Sequence, residues 1–315
     1  MSAGRSPGVS PDDDALKSVA RMPKASNRHT NAKPTMQPSR DLESWVRHLS
    51  RADIPVLRTT ARELARLRDQ TPEQLDPRHV AQVLARDPMM TVKLLRHLQT
   101  HRFHGRRVDV VHVEQALMML GMDPFFASVP ADPLVEDMLA AHGAALLAML
   151  RVVRRAQRAS SWAMDWAARR QDVHFDEIRI AALLHDLSEM LMWCFEPERM
   201  LAVRARQDQD RTLRSRDVQQ AIFGFSLPEL QRALARDWAL PELLLKLMDD
   251  ESRGQDRVRN VALAVDLARH SAQGWNDAAL PDDFREIAEF LRIKPEAVPA
   301  LVGAQAIETA PPPQA

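Results

Sequence analysis

Apolar residues recur every three to four positions through most of the chain, from about residue 41 to about residue 302. This spacing places them on one face of an α-helix. Alternating runs of β-branched residues bounded by turn residues, which would predict strands, are missing from the sequence. The pattern therefore predicts an all-α protein.

Capping residues and prolines mark where several helices begin and end. A capping side chain precedes a proline at Thr71-Pro72-Glu73, Asp76-Pro77 and Asp87-Pro88. Such pairs are typical of the first turn of a helix. After the third pair we predict a buried face made by Val92, Leu94, Leu95 and Leu98. A later helix, over residues 113–120, is expected to end at Gly121.

Prolines concentrate in the segment DPFFASVPADP, residues 123–133, where a helix would otherwise continue. We place the boundary between two helical lobes there, so that the lobes span residues 41–130 and 131–302. Residues 1–40 and 303–315 contain few large apolar side chains with which to repay the entropy of ordering. They are predicted to be a disordered arm and a disordered tail.

Charge and cysteine content limit which partners and which cellular compartment can be expected. The 43 Lys and Arg residues balance 43 Asp and Glu residues, so no overall field favours nucleic acid or an anionic membrane. The one cysteine, Cys194, excludes an internal disulfide and favours a reducing compartment. The N-terminus lacks the apolar core of a signal peptide, and no apolar run is long enough to cross a membrane. We therefore expect a cytoplasmic protein without membrane contact.

Three polar residues interrupt the most apolar helices of the sequence. His185 and Asp186 stand inside IAALLHDLSEMLMWCF, which is predicted as one helix, and Asp266 is the only charge in VALAVDLA. Buried polar side chains need partners. Imidazole nitrogens and carboxylate oxygens are also metal ligands. The residues alone therefore leave both a metal site and a metal-free polar network open.

Four stretches of the sequence resemble, in the expected order, the HDOD family, whose members are regulatory relatives of the HD-type metal phosphohydrolases. They are VAQVLARDPMMTVKLLRHLQ, FHGRRVDVVHVEQALMMLG, IAALLHDLSEM and DWALPELLLKLMDD. The resemblance covers roughly residues 49–270. It implies a two-lobed helical bundle with an HD-like second lobe, and a bacterial signalling role exerted through contacts with another protein.

The chain departs from the catalytic relatives at positions that the resemblance assigns to metal or phosphate. The position of a metal-binding histidine falls near Ala156, and a glycine-lysine pair corresponds to Ser188-Glu189. Further histidines correspond to Leu227 and to Asp249-Asp250. We therefore predict no catalytic residue, no bound metal and no cofactor.

His185, Asp186 and Asp266 are accordingly interpreted as the polar network that remains of an HD site. The preceding helix carries arginines at helical spacing, namely Arg151, Arg154, Arg155 and Arg158. An arginine from this set could neutralise the carboxylates in place of the lost ion. The four arginines are therefore predicted as a charge clamp.

A second basic cluster surrounds the loop HRFHGRR. The resemblance implies that the helix before it ends near Thr100, which would place His101 and His104 on a solvated loop rather than in a metal stripe with His97. The alternative is a site for a small anionic ligand formed by Arg96, Arg102, Arg106 and Arg107.

Three functions remain open from the sequence. The favoured one is a non-catalytic HDOD module that contacts an unidentified signalling protein. The alternatives are a residual metal-dependent phosphohydrolase and an anion or nucleotide receptor without turnover. A nucleic-acid partner is not expected, because no aromatic residues interleave the basic ones. Cys194 and the methionines, including Met118 and Met119, are interpreted as core residues.

Overall fold

A computed structural model describes residues 41–70, 75–100, 110–210, 212–249 and 252–304. Within these ranges the secondary structure is helical, without a strand, and an isolated backbone bridge joins Val56 to Leu134. The predicted all-α class is therefore confirmed. The predicted arm, the tail from residue 305 onward and the helix start at Thr71-Pro72-Glu73 lie outside the described residues.

In the described part of the chain, seven helices precede a long central one: α1 (Leu42–Arg51), α2 (Arg58–Arg68), α3 (Pro77–Leu84), α4 (Pro88–Thr100), α5 (Val113–Leu120), α6 (Met122–Ser128) and α7 (Val135–Met138). Two predicted helix starts are confirmed. A side-chain oxygen of Asp76 accepts a hydrogen bond from the Arg78 amide at 2.9 Å. Asp87 accepts from the amides of Met89 and Met90 at 2.9 and 3.1 Å.

The segment between α5 and α7 is more helical than its prolines suggested. Gly121 ends α5 as predicted, with a φ of +84° that a glycine adopts without strain. A further helix, α6, then begins at Met122. Pro124 is tolerated because it lies in the first turn, where its missing N–H has no intrahelical partner to lose.

Two methionines of α5 do not belong to the core. Met118 and Met119 are 62% and 37% exposed, so their assignment as core filling is wrong. The helix is short and buries only Val113, Ala116 and Leu117. The pattern of apolar residues on α5 therefore overstates the width of its buried face.

The remaining helices follow α8 (Gly143–Arg169), which packs against α9, α10, α11 and α15 among them. They are α9 (Phe175–Leu184), α10 (Leu187–Phe195), α11 (Pro197–Gln209), α12 (Ser215–Phe223), α13 (Leu227–Asp237), α14 (Glu242–Leu247), α15 (Asp256–His270), α16 (Leu280–Leu291) and α17 (Val298–Val302). Buried alanines of α8, including Ala156, Ala159 and Ala163, leave room for these neighbours to approach closely. None of the described helices is long and apolar enough to cross a membrane.

The apolar segment that carries His185 and Asp186 is two helices rather than the one that was predicted. α9 ends at Leu184 and α10 begins at Leu187, so the histidine and the aspartate occupy the junction. The side chain of Gln231 stabilises the break: its amide nitrogen donates to the Leu184 carbonyl at 2.8 Å, and its oxygen accepts from the Ser188 amide at 2.7 Å. Because these buried backbone groups are satisfied from α13, the chain can turn here without an unpaired polar group.

Candidate functional site

Arg155 of α8 lies against the α9–α10 junction and contacts two carboxylates. Its Nη2 atom is 2.6 Å from Oδ2 of Asp186 and 2.7 Å from Oε2 of Glu189. Its Nε atom also donates to Oδ2 of Asp186, at 3.1 Å. Only 18% of the arginine side chain and 8% of the Asp186 side chain are exposed. Solvent therefore screens this ion pair weakly, and the geometry holds both groups in place.

The other carboxylate oxygen of Asp186 faces a second arginine. Nη2 of Arg269, on α15, lies 2.5 Å from Oδ1 of Asp186, and Nδ1 of His185 lies 3.3 Å from the same oxygen. Burial alone would raise the pKa of Asp186, but Arg269 and Arg155 hold that pKa well below its usual range. Asp186 is therefore an ionised carboxylate with an arginine on each oxygen.

Asp266 joins the same network from one turn before Arg269. Its Oδ1 atom is 3.7 Å from Nη1 of Arg269, and its Oδ2 atom accepts a hydrogen bond from Arg253 at 2.6 Å. Acidic and basic groups thus alternate in a line that we call the charge chain: Glu189, Arg155, Asp186, Arg269, Asp266 and Arg253. Three carboxylates balance three guanidinium groups, so the charge chain carries no net charge.

The four arginines that the sequence singled out on α8 have different surroundings. Arg155 is the member of the set that contacts Asp186. Arg158 stacks on Trp162 and Trp275, with its guanidinium carbon 4.7 and 5.4 Å from the ring centres. Arg151 and Arg154 are exposed on the groove described below.

Three members of the charge chain, Glu189, Arg269 and Arg253, were not among the predicted site residues. Arg269 lies three residues after Asp266 on one helix, which is a spacing at which side chains meet. That signal could have identified it. Arg253 precedes α15 and reaches Asp266 across 13 residues, for which the sequence carries no periodic signal.

Of the positions that the resemblance assigned to a metal or phosphate, Ala156, Ser188 and Leu227 are filled by packing groups, whereas Glu189 belongs to the charge chain. Asp250 lies outside the described residues. Ala156 is buried on α8. The Ser188 hydroxyl donates to the Leu227 carbonyl at 2.9 Å, which joins two of the altered positions to each other. Among the described residues, no three His, Cys, Asp or Glu side chains form a group that could hold a metal ion.

The alternative anion site is not supported at Arg96. Its guanidinium donates to the Ala52 carbonyl at 3.3 Å and lies 5.4 Å from the ring centre of Trp238. Partial burial lowers the pKa of Arg96, which is engaged in packing α1, α4 and α13 together. Arg102, Arg106 and Arg107, like His101 and His104, lie outside the described residues.

Cys194 is buried in α10, and burial raises the pKa of its thiol to about 12. A thiol with so high a pKa holds almost no thiolate at neutral pH, and the thiolate is the reactive form. The geometry therefore agrees with the interpretation of Cys194 as an inert core residue.

Comparison with known protein families shows which family has this fold. The model of the HDOD domain matches residues 54–253, which is more than half of the chain. The chain belongs to the HDOD family. Curated proteins searched with the same sequence give no match.

Among the solved structures that resemble this HDOD chain in fold are two from different species. One is the MmoQ response regulator from Methylococcus capsulatus str. Bath, with a TM-score of 0.60 and 20% identity over 80% of this chain and 98% of that one. The other is a virulence factor from Campylobacter jejuni subsp. jejuni, with a TM-score of 0.57 and 16% identity over 83% of this chain and 90% of that one. At these identities the likeness shows the helical fold alone.

The HDOD chain does not offer a divalent metal ion a suitable set of ligands at its HD pair. Arg155 and Arg269 occupy the two oxygens of Asp186. A divalent cation beside these oxygens would meet two guanidinium groups at short range, which is strongly unfavourable in a site of low dielectric constant. The residues present fit an internal salt-bridge network instead.

Proposed function

We propose that this HDOD protein is a non-catalytic regulatory module that acts in the bacterial cytoplasm through contacts with a signalling protein. The observation that carries the proposal is the charge chain. Arg155 and Arg269 take the positions next to Asp186 that a catalytic cation would need. Metal-dependent phosphoester hydrolysis requires an ion that activates water and stabilises the developing phosphoryl charge. A site closed by arginines does not supply that ion.

The charge chain retains a structural role under this proposal. It ties α8, α10 and α15 together at the α9–α10 junction, where Asp186 receives an arginine from two different helices. Buried polar networks that are fully paired favour one arrangement of the helices over others. A regulatory surface presented by this lobe would therefore have a fixed shape. The MmoQ protein, which shares the fold, is described as a response regulator, and this agrees with a signalling role.

An activity assay tests the proposal. Purified protein should hydrolyse neither p-nitrophenyl phosphate nor cyclic nucleotides, with manganese, magnesium, iron or zinc added in turn. The matched control is His185→Ala, assayed after circular dichroism has shown that it is folded. Metal-dependent turnover in the native protein that disappears in this control would overturn the proposal, because it would show a working HD site.

A further inference from the structure

A groove of about 1070 Å³ opens beside the charge chain. Residues of α8, α10, α11, α12, α13 and α15 line it. Pockets for small ligands commonly measure about 300–1000 Å³. The groove is therefore large enough for a ligand of nucleotide size.

Positive charge dominates the lining of this groove. Four carboxylates line it, Asp186, Glu189, Asp208 and Asp249, against eight arginines: Arg151, Arg154, Arg155, Arg158, Arg204, Arg216, Arg232 and Arg269. Arg155 and Arg269 pair with Asp186 and Glu189 inside the charge chain. Six arginines then face two carboxylates in a protein whose net charge is zero. Such a local excess inside a concave wall attracts anions.

Three of these arginines form a row along α8. Arg151, Arg154 and Arg158 are spaced by three and four residues, so they share one helical face. Within the described part of the chain, the side chains of Arg151 and Arg154 form no ion pair or hydrogen bond, although both line the groove. Arg158 is held by Trp162 and Trp275. The row thus offers one pre-positioned guanidinium group and two that are available to a ligand.

Apolar side chains also line the groove. Pro228 and Met248 are half-buried there, whereas Val152, Met200 and Val203 are each less than 5% exposed. A ligand that fills the groove therefore meets guanidinium groups along α8 and a small apolar surface. Arginine matches phosphate oxygens with paired donors, and such charge-assisted bonds are about twice as strong as neutral ones. The lining suits a molecule that joins phosphate groups to an apolar ring.

We propose that this groove is a binding site for an organic polyphosphate, with its phosphate groups on Arg151, Arg154 and Arg158 and its ring against the half-buried apolar lining at Pro228 and Met248. A nucleoside triphosphate has this chemistry. The inference deepens the proposed function and rests on it in one respect. The protein binds the polyphosphate without hydrolysing it, because the arginines of the charge chain take the position of a catalytic metal ion. The groove would then be the input site of the regulatory module.

Titration calorimetry with ATP and with inorganic pyrophosphate, in the presence of a chelator, tests this site. We expect saturable binding of ATP and weaker binding of pyrophosphate, which lacks the ring. The double variant Arg151→Ala/Arg154→Ala should weaken ATP binding at least about tenfold, since each lost guanidinium removes charge-assisted bonds. Arg62→Ala/Arg66→Ala, on the exposed face of α2, removes the same charge away from the groove and should bind ATP as the native protein does.

The outcomes separate this site from the proposed function. Absence of ATP binding, or equal losses in the two double variants, would overturn the site and leave the non-catalytic module standing. Single-stranded RNA that binds more tightly than ATP, with an affinity that rises with the length of the RNA, would overturn the small-ligand assignment. Release of phosphate from bound ATP in the presence of added metal, lost in His185→Ala, would overturn the non-catalytic function while the site itself stands.

Discussion

Arg155→Met should lower the free energy of unfolding by about 3–5 kcal/mol, the range found when one partner of a buried ion pair is removed. The variant leaves Asp186 with a single arginine and Glu189 without its ion-pair partner in a setting where water screens little. Urea denaturation at neutral pH measures the loss. Arg154→Met is the matched control, because Arg154 is the exposed neighbour on the same helix. It should change stability by less than about 0.5 kcal/mol.

A charge-neutral rescue distinguishes the lost ion pair from lost packing. Arg155→Met combined with Asp186→Asn and Glu189→Gln should recover part of the stability, since no unpaired charge remains buried. Equal stability of the native protein and Arg155→Met would contradict the charge chain as a structural element. Failure of the rescue would indicate that the arginine stem contributes through packing alone.

The free energy of unfolding that Arg155→Met removes should depend on pH, because the pKa of Asp186 is lowered in the folded protein. The unfolded carboxyl has a pKa of about 3.9, and the folded one titrates below that value. The stability that the ion pair contributes is therefore present above about pH 4 and is lost as the pH falls through the folded pKa. The difference between the native protein and the variant should persist down to about pH 4 and shrink below it.

Leu184→Asp should prevent the helices packed around α9 from folding. Leu184 ends α9 beside the HD pair and has no exposed surface. A charge there lacks a partner, so the cost should exceed about 4 kcal/mol, enough to unfold many domains. Soluble yield and circular dichroism report the outcome. Leu147→Asp is the control and should remain folded, because Leu147 lies on α8 and is 51% exposed.

A milder variant keeps the burial of Leu184 testable if the aspartate protein is insoluble. Leu184→Ala should fold and lose about 2–5 kcal/mol, because it removes apolar contacts and leaves a cavity. A native-like Leu184→Asp protein, or an alanine variant as stable as the native chain, would contradict the burial of this helix.

The fold class and the location of the HD pair could be predicted because they depend on local pattern. Helical periodicity, the caps at Asp76 and Asp87, and the four HDOD-like stretches are all contained in short windows. The break between α9 and α10 could not be predicted in this way. It depends on Gln231, which lies 43 residues after Ser188 and satisfies the backbone from another helix.

The candidate site was predictable in composition but only partly in geometry. Helical spacing put Arg155 in a set of four, yet the packing of α8 against the α9–α10 junction selects it as the one that contacts Asp186. Arg96 was grouped with its basic neighbours in sequence. Its position is set instead by Trp238, which is distant along the chain and adjacent in space. Contacts of this kind carry no periodic signal.

The melting temperature in the presence of metal and chelator tests most directly whether arginine has replaced the ion beside Asp186. We expect the same melting temperature, within about one degree, in EDTA and in excess manganese or zinc. A metal ion that bound the folded state would raise the melting temperature. Elemental analysis of the same sample should find less than one metal ion per chain. A transition that falls in EDTA and recovers with metal, in the native protein but not in folded His185→Ala, would contradict the arginine replacement.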